Sequence, residues 1–245
     1  MDGQAKLAAR IGNDLFGSII LDQLKQQQVD CSLVLQTDGA RSSFSSVLVD
    51  QSGERQIVNF RGSDLSDDVS ALQSLQVDAV LTDTRWTAGT LAGLRLARAL
   101  GVPGVVDGEA PVNSEALQLA THCAFSRQGL RALTGLDDPQ LGLSAAVEQC
   151  SGFVCVTDGS NGVYYVEDNT VCHMPSYEVD AIDTLGAGDV WHGAFCLRLA
   201  EQKSETEAMR FANAAAALKC LNKGGGRSSP QRLQVNEFLN SRSTR

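Results

Sequence analysis

Hydrophobic positions recur along the chain with two alternating periods. Short apolar runs bounded by turn-forming residues predict strands at 31–36, about 79–81, 102–106, 123–125 and 153–157. Apolar residues three or four positions apart predict helices at about 12–27, 87–100, 114–121, 128–133, 144–150, 187–200, 205–221 and 230–239. Strands that alternate with helices in this way favour an α/β fold with a largely parallel central sheet.

Two pairs of strands predict antiparallel hairpins, 44–50 with 55–60 and 162–167 with 171–175. The first hairpin, 44–60, looks like an insertion or a lid attached to the sheet. The sequence has no internal repeat and no low-complexity linker. It therefore predicts one domain, 1–245, to which this hairpin is appended.

Composition and charge narrow the class of protein. The chain has 245 residues, with 20 Lys and Arg against 29 Asp and Glu, and a formal net charge of -9. An acidic chain without a basic stripe is a poor candidate for binding nucleic acid or an anionic membrane. Its apolar runs are far shorter than the roughly 20 residues that span a bilayer, and its N-terminus lacks a signal-peptide core. We therefore expect a cytoplasmic protein.

The cysteines agree with a reducing compartment. There are seven of them, their spacing is scattered, and no pair has the C-x-x-C spacing of a zinc ribbon or a redox dithiol. We expect all seven to be small buried hydrophobic residues.

The most informative segment is Asp-Thr-Leu-Gly-Ala-Gly-Asp at 183–189. It lies between a strand-like stretch, 177–182, and an amphipathic helix. Gly186 and Gly188 let the backbone approach a ligand, and the free amides at the start of a helix bind anions such as phosphate. Asp189 beside such a site can accept a proton from a hydroxyl nucleophile. The alternative is a tight turn with an acidic residue that favours the helix dipole.

The same segment, continued by Val-Trp-His-Gly-Ala-Phe at 190–195, resembles the C-terminal signature of the ribokinase-like (PfkB) carbohydrate kinases. Stretches that resemble other parts of this family lie at 10–17, 156–163, 212–217 and 224–226. The resemblance implies a three-layer α/β sandwich with a mostly parallel central sheet and a partial β lid. It also implies an enzyme that uses ATP and Mg²⁺ to phosphorylate a small sugar.

The resemblance implies roles for residues of the signature. Asp189 would be the catalytic base and would contact the substrate. The amides of Gly186, Ala187 and Gly188 would form the anion hole. The three histidines are scattered without metal-ligand spacing. His192, on the first turns of the signature helix, could line the site or be a satisfied or solvent-facing residue.

Four other positions, Thr157, Gly159, Asn213 and Gly225, would lie near the nucleotide according to the resemblance. Thr157 and Gly159 belong to the stretch at 156–163, and their patterns alone also fit a strand end and a turn. Asn213 belongs to the helix at 212–217, where it also fits a solvated helix residue. Asp183 and the loop at Gly225 would flank a monovalent-cation site, such as one for K⁺, as in many relatives.

Short stretches at 83–86, 53–60, 124–126 and 133–135 look closest to the sulfofructose kinase branch, whose substrate is a ketose with a sulfonate. Arg85, at the end of a buried strand, could bind that anionic group, and Asn59 on the hairpin could add a hydrogen bond. Arg85 could instead form a salt bridge with Asp83 or Asp107.

Two departures from the family pattern stand out. The family's N-x-x-E motif is replaced by Ser-Arg-Gln-Gly at 126–129, so its carboxylate is missing at Gly129. Magnesium would then be organised through water or by Asp107. The chain also begins late, because the family's first strand and Gly-Gly sugar-binding motif precede the position of Arg10.

Several alternatives stay open at this point. Other kinases of the fold, such as a fructokinase, a ketohexokinase or a nucleoside kinase, share the signature. A non-catalytic remnant that binds nucleotide or sugar without turnover is suggested by the late start. A homodimer is a candidate assembly, and we expect no nucleic-acid or membrane partner.

Overall fold

A computed structural model describes residues 1–49 and 55–243 of the chain. Contacts between residues divide it into a smaller unit, Gly3–Ser74, and a larger unit, Met1–Asp2 with Leu75–Arg245. The smaller unit carries the hairpin at 44–60, and the larger unit carries the motif at 183–189. The organisation into one domain stays a prediction.

The smaller unit contains two parallel strands joined by a helix. β1 spans Lys6–Gly12, α1 spans Leu15–Gln26 and β2 spans Asp30–Thr37. Asp14 begins the helix, because its carboxylate accepts a hydrogen bond from the amide of Gly17 at 2.8 Å. The hydrophobic pattern missed β1, because most of its residues are only half-buried.

The hairpin of the smaller unit has the two strands that the sequence predicts. β3 spans Phe44–Val49 and β4 spans Arg55–Phe60, and the two strands are antiparallel. Phe44 lies opposite Phe60, with 5.4 Å between their ring centroids. Residues 50–54, which include the predicted end of the first strand, lie outside the described residues.

The larger unit contains a sheet of six strands. They are β5 (Val80–Thr82), β6 (Gly104–Gly108), β7 (His122–Ser126), β8 (Phe153–Thr157), β9 (Val163–Glu167) and β10 (Thr170–Met174). The strands lie side by side in this order. β5 to β8 are parallel, and β9 and β10 continue the sheet as an antiparallel hairpin. The carboxyl ends of four strands therefore meet at one edge.

Helices cover both faces of this sheet. They are α2 (Thr87–Leu100), α3 (Ser114–Leu119), α4 (Arg127–Thr134), α5 (Pro139–Val147), α6 (Ala187–Ala200), α7 (Glu205–Cys220) and α8 (Arg232–Ser243). Alternate strand residues face opposite sides. Val106 and Cys123, which are neighbours in register, pack with α2 to α5, whereas Val105 packs with α6 and α7. Burial on both faces explains why these strands are continuous apolar runs.

Three expectations need correction. The stretch at 177–182 is not a strand, because the amides of Ile182 and Asp183 both donate to the carbonyl of Cys220 at the end of α7. The helix expected at 144–150 begins earlier, at Pro139, because the side chain of Asp138 accepts hydrogen bonds from the first amides of α5. Four of the seven free cysteines are half-buried rather than buried; they are Cys31, Cys150, Cys172 and Cys220.

Over 1–49 and 55–243, no helix has both the length and the apolar composition required to cross a bilayer.

Candidate active site

Gly186 forms the turn that leads into α6. Its φ of 78° lies in the left-handed region, which favours glycine. Its carbonyl accepts the amide of Val190 at 3.0 Å, which is the first bond of the helix. The amides of the first helical turn are therefore left without partners inside the helix.

Most of these amides are free to bind an anion. Within the described residues, the amides of Gly186, Gly188 and Asp189 donate to no protein acceptor. A Cβ atom built on Gly188 would meet nothing within 4 Å, so the space beside it is open. The amide of Ala187 departs from the expected anion hole, because it donates to the carbonyl of Thr184 at 3.2 Å.

Asp189 lies in the first turn of α6, next to these amides. Its side chain is exposed, and in the part of the chain that the structure describes it makes no hydrogen bond or ion pair. An unpaired carboxylate at the start of a helix can accept a proton from a bound hydroxyl group. The geometry thus brings a base and an anion-binding backbone together at one point.

Asp183 fixes the loop before this helix. One carboxylate oxygen accepts the amide of Leu185 at 2.9 Å, and the other accepts the amides of Gly224 and Gly225, each at 3.2 Å. The bonds from Leu185 and Gly225 lower the pKa of Asp183 to about 2. The signature loop and the glycine loop are therefore held together by one side chain.

Lys219 of α7 contacts Asp183 from the protein interior. Its side chain is 0 % exposed, and its Nζ atom donates to the carbonyl oxygen of Asp183 at 2.6 Å. The same Nζ lies 3.6 Å from a carboxylate oxygen of Asp183. A buried ammonium group thus reaches the loop that precedes the anion-binding helix start.

His192 lies beneath the first turn of α6 and is 3 % exposed. Its Nδ1 atom is 2.8 Å from the carbonyl oxygen of Gly188. Its Nε2 atom is 3.2 Å from the carbonyl oxygen of Ala124 and 3.6 Å from Oδ1 of Asp107. The ring therefore connects the start of α6 with the ends of β6 and β7.

Asp107 is a mostly buried carboxylate at the end of β6. Burial raises its pKa, His192 opposes this rise, and the carboxylates of Glu109, Asp189 and Asp83 add to it. Its Oδ1 atom is buried and makes no hydrogen bond within the described residues. These residues contain no group of three or more His, Cys, Asp or Glu that could hold a metal ion by itself.

The structure explains why the family carboxylate is missing at Gly129. A Cβ atom at this position would lie 1.6 Å from the carbonyl oxygen of Gly108. The amide of Gly129 donates to the hydroxyl of Ser126 at 3.0 Å, which begins α4. No side chain fits at 129 unless the backbone of the neighbouring strand end moves.

Arg85 follows β5 at the same edge of the sheet, and it is exposed. Its guanidinium group donates to the carbonyl of Ala110 at 2.7 Å. Among the described residues it makes no salt bridge with Asp83 or Asp107, so that alternative is not what the structure contains. Only its backbone amide contacts the side chain of Asp83, at 3.0 Å.

Asn59 belongs to the smaller unit. It lies opposite Ser45 in the β3–β4 hairpin, and its side-chain oxygen accepts a hydrogen bond from the hydroxyl of Ser45 at 2.5 Å. Its expected contact with an anionic group stays a prediction.

The residues expected near the nucleotide lie on four elements. Thr157 ends β8, where its hydroxyl donates to the carbonyl of Phe125 at 3.3 Å, and Gly159 begins a short 3-10 helix. Gly225 begins another 3-10 helix and donates its amide to Asp183. Of these, the structure brings only Gly225 into contact with the signature loop.

Asn213 is not the solvated helix residue that its pattern also allowed. It is 4 % exposed, its side-chain oxygen accepts the indole N–H of Trp191 at 2.8 Å, and its amide group donates to the carbonyl of Pro175 at 3.3 Å. Its side chain therefore joins α7 to α6, and its contact with a nucleotide stays a prediction.

A cavity of about 390 Å³ lies between the end of α7 and the start of α8. Asn222, Lys223 and Ser228, which line it, flank the glycine loop at 224–226. None of the expected nucleotide residues lines this cavity.

Comparison with known proteins decides the family. A family model described as pfkB family carbohydrate kinase matches residues 1–232. The chain belongs to this family. A ribokinase of Haemophilus influenzae is 31 % identical over 243 residues, which cover 94 % of this chain and 79 % of the relative.

Solved structures extend the similarity to the fold. A candidate ribokinase from Agrobacterium tumefaciens superposes with a TM-score of 0.91 at 35 % identity, covering 100 % of this kinase and 83 % of the other chain. A fructokinase from Vibrio cholerae, solved with fructose, ADP and calcium ion, gives a TM-score of 0.80 at 25 % identity, covering 97 % and 86 %. The expected family, the α/β fold with a mostly parallel sheet and the enzyme class, an ATP-dependent carbohydrate kinase, are confirmed.

The sequence reasoning missed Lys219 of this kinase's candidate site and did not find the partners of His192. Lys219 gave no signal, because its partner Asp183 is 36 positions away in the chain. His192 was visible as a polar residue in the apolar stretch after Asp189, but its partners come from Gly188, Ala124 and Asp107, which only the fold brings together.

Proposed function

We propose that this kinase transfers the γ-phosphoryl group of ATP to a hydroxyl group of a ketose, one that carries an anionic group such as a sulfonate. The observation that carries the proposal is the unpaired carboxylate of Asp189 beside the free amides of Gly186 and Gly188. A base and an oxyanion-binding backbone at one point are what phosphoryl transfer to an alcohol requires.

In the proposed mechanism, Asp189 accepts the proton of the hydroxyl group while the oxygen attacks the γ-phosphorus in line. The bond between the γ-phosphorus and the bridging oxygen breaks, and ADP leaves. The free amides at the start of α6 donate to the phosphoryl oxygens, where negative charge increases in the transition state. They are held in place before the reaction, because Asp183 and His192 fix the loop and the first helical turn. Little reorganisation is then needed during the transfer.

Mg²⁺ belongs to this proposal as a companion of the nucleotide. It neutralises phosphate charge when bound and needs few protein ligands, because phosphates and water supply most of them. Asp107 fits this role, since its buried Oδ1 atom has no hydrogen-bond partner in the described residues. The residues of the sequence motif at 126–129 do not, because Gly129 has no carboxylate.

The anionic group of the substrate is assigned to Arg85. Its guanidinium group has five N–H donors, and within the described residues only the carbonyl of Ala110 uses them. Arginine binds sulfonate and phosphate oxygens well, because its planar group donates two parallel hydrogen bonds.

A substrate panel tests the proposal. ATP consumption is measured with ribose, fructose, fructose 6-phosphate and a 6-sulfonated fructose. We expect the sulfonated ketose to give the highest kcat/KM. Arg85→Ala should then lower kcat/KM for this sugar by about ten- to a hundredfold, the cost of a charged hydrogen bond, and should leave a neutral sugar nearly unaffected.

The matched control is Arg95→Ala, because Arg95 is exposed and pairs only with Glu115 on the outer side of α2 and α3. A preference for ribose or neutral fructose that is insensitive to Arg85 would favour the second candidate, a ribokinase or fructokinase, which the similarity to such enzymes supports. Nucleotide binding without turnover of any sugar would favour the non-catalytic remnant.

A homodimer and a cytoplasmic location are also part of the proposal. The β3–β4 hairpin exposes Phe44, Leu48 and Val58 on one face, an apolar surface that a second copy of the chain could cover. Sedimentation equilibrium with Leu48→Lys tests this assembly, and we expect the variant to shift the kinase toward the monomer.

A further inference from the structure

Lys219 is a fully enclosed cation. Its side chain is 0 % exposed. Among the residues that the structure describes, the oxygen atoms that meet its Nζ belong to Asp183: the carbonyl oxygen at 2.6 Å and a carboxylate oxygen at 3.6 Å. A buried ammonium group is costly unless such oxygens replace its water. The site is therefore built around a positive charge.

These oxygens are the kind that a monovalent cation uses, a backbone carbonyl together with a carboxylate. The family resemblance predicted such a cation, K⁺, between Asp183 and the loop at Gly225. In the structure, the carboxylate oxygen of Asp183 that lies near Nζ also accepts hydrogen bonds from the amides of Gly224 and Gly225. Two amides and an ammonium group therefore already surround this oxygen, so the residues present do not fit an additional K⁺ at Asp183.

The charges of Lys219 and Asp183 also argue against an additional K⁺. Lys219 and Asp183 form a pair without net charge, and Asp183 is the carboxylate that the ammonium group contacts. A second cation brought to the same oxygens would be repelled by the ammonium group in a poorly solvated environment.

We propose that the ammonium group of Lys219 takes the place of a monovalent cation in this kinase, so that its activity needs no added K⁺. Lys219 is then a positioning residue. It holds the carbonyl of Asp183, Asp183 holds the amide of Leu185, and the loop in turn sets the amides of Gly186 and Gly188. The inference rests on the kinase activity and not on the identity of the sugar.

The first test uses the unchanged kinase. After removal of monovalent metal ions, kcat and KM for ATP are measured in KCl and in choline chloride at equal ionic strength. We expect kcat to differ by less than about twofold between the two salts. A saturable activation by K⁺ of about tenfold or more would overturn the proposal.

The second test removes the ammonium group. Lys219→Ala should lower kcat far more than it raises KM for ATP, because the amides that act in the transition state lose their fixed position. Ammonium or K⁺ should then restore kcat of Lys219→Ala, and only of that variant, by at least about tenfold. Lys203→Ala is the matched control, since Lys203 is exposed in the loop between α6 and α7. A Lys219→Ala variant with unchanged kcat would contradict the proposal.

Thermal unfolding gives a readout that needs no substrate. The melting temperature of the unchanged kinase should be equal in KCl and choline chloride, whereas that of Lys219→Ala should be higher in KCl. If Lys219→Ala does not fold, the melting temperatures of the unchanged kinase and of Lys219→Arg in the two salts still test the proposal. A K⁺-specific rise in the melting temperature of the unchanged kinase overturns the proposal, even if no sugar of the panel is phosphorylated.

Discussion

The Nδ1 atom of His192 lies 2.8 Å from the carbonyl oxygen of Gly188, and this carbonyl shares a peptide group with the amide of Asp189. A carbonyl oxygen only accepts, so this contact is a hydrogen bond in the tautomer that carries its hydrogen on Nδ1. The hydrogen bond orients the peptide whose N–H faces the anion site. A buried histidine thus supports the backbone beside Asp189, the proposed base.

Replacement of His192 should therefore affect catalysis and stability together. We expect His192→Leu to lower the free energy of unfolding by about 1–3 kcal/mol, the cost of leaving buried polar groups without partners. We also expect it to lower kcat with little change in KM for ATP. His192→Asn, which can still donate to Gly188, should recover part of kcat. Equal kcat values for the two variants would contradict the role of this hydrogen bond.

Asp189 should be indispensable for the chemical step. Asp189→Asn keeps the size of the side chain but cannot accept the proton, so we expect kcat to fall by about 10²–10⁴-fold. ATP affinity, measured by calorimetry, should change little. Asp180→Asn, at an exposed position before the motif, is the control. Activity of Asp189→Asn close to that of the unchanged kinase would exclude Asp189 as the base.

Because the pKa of Asp183 is lowered in the folded protein, part of the free energy of unfolding should depend on pH. Its pKa is lowered from 3.8 to about 2 in the folded protein. The carboxylate therefore stabilises the fold fully above pH 3.8, and this stabilisation is lost as the pH falls toward about 2. Urea unfolding of the unchanged kinase and of Asp183→Asn should show a stability difference that shrinks over this interval. A difference that is constant with pH would show that the lowered pKa does not contribute.

Local sequence signals predicted the elements of the fold where the local chemistry is strong. α2 ends at Leu100, as predicted, because Gly101 adopts a left-handed conformation. α6 begins at Ala187, as the motif predicts. The stretch at 177–182 was predicted wrongly, since alternating residues resemble a strand whether or not a neighbouring strand is present to pair with them.

The candidate site was predictable only where one segment carries it. Gly186, Gly188 and Asp189 are adjacent in sequence, so their relationship could be deduced from the motif. Lys219 and Asn213 could not be placed in this way. Lys219 contacts Asp183, which lies in the loop before α6, and Asn213 contacts Trp191, which lies in α6. No local pattern encodes either contact.

Gly129 lies so close to the end of β6 that a side chain at this position should destabilise the fold. Because a Cβ at 129 would lie 1.6 Å from the carbonyl oxygen of Gly108, either the helix or the strand end must move to accept a side chain. We expect Gly129→Ala to lower the free energy of unfolding by about 3 kcal/mol or more, as severe overpacking does. Gly129→Glu, which restores the family carboxylate, should be destabilised at least as much and should not gain activity.

Gly193 provides the matched control for this prediction. It is also a helical glycine, but a Cβ there would meet nothing within 4 Å. Gly193→Ala should therefore be neutral or stabilise the fold by up to about 1 kcal/mol, because alanine loses less backbone freedom on folding. Urea unfolding of the two alanine variants measures the difference. If both had the same stability, the contact between Gly129 and Gly108 would not be what excludes a side chain, and the missing carboxylate would need another cause.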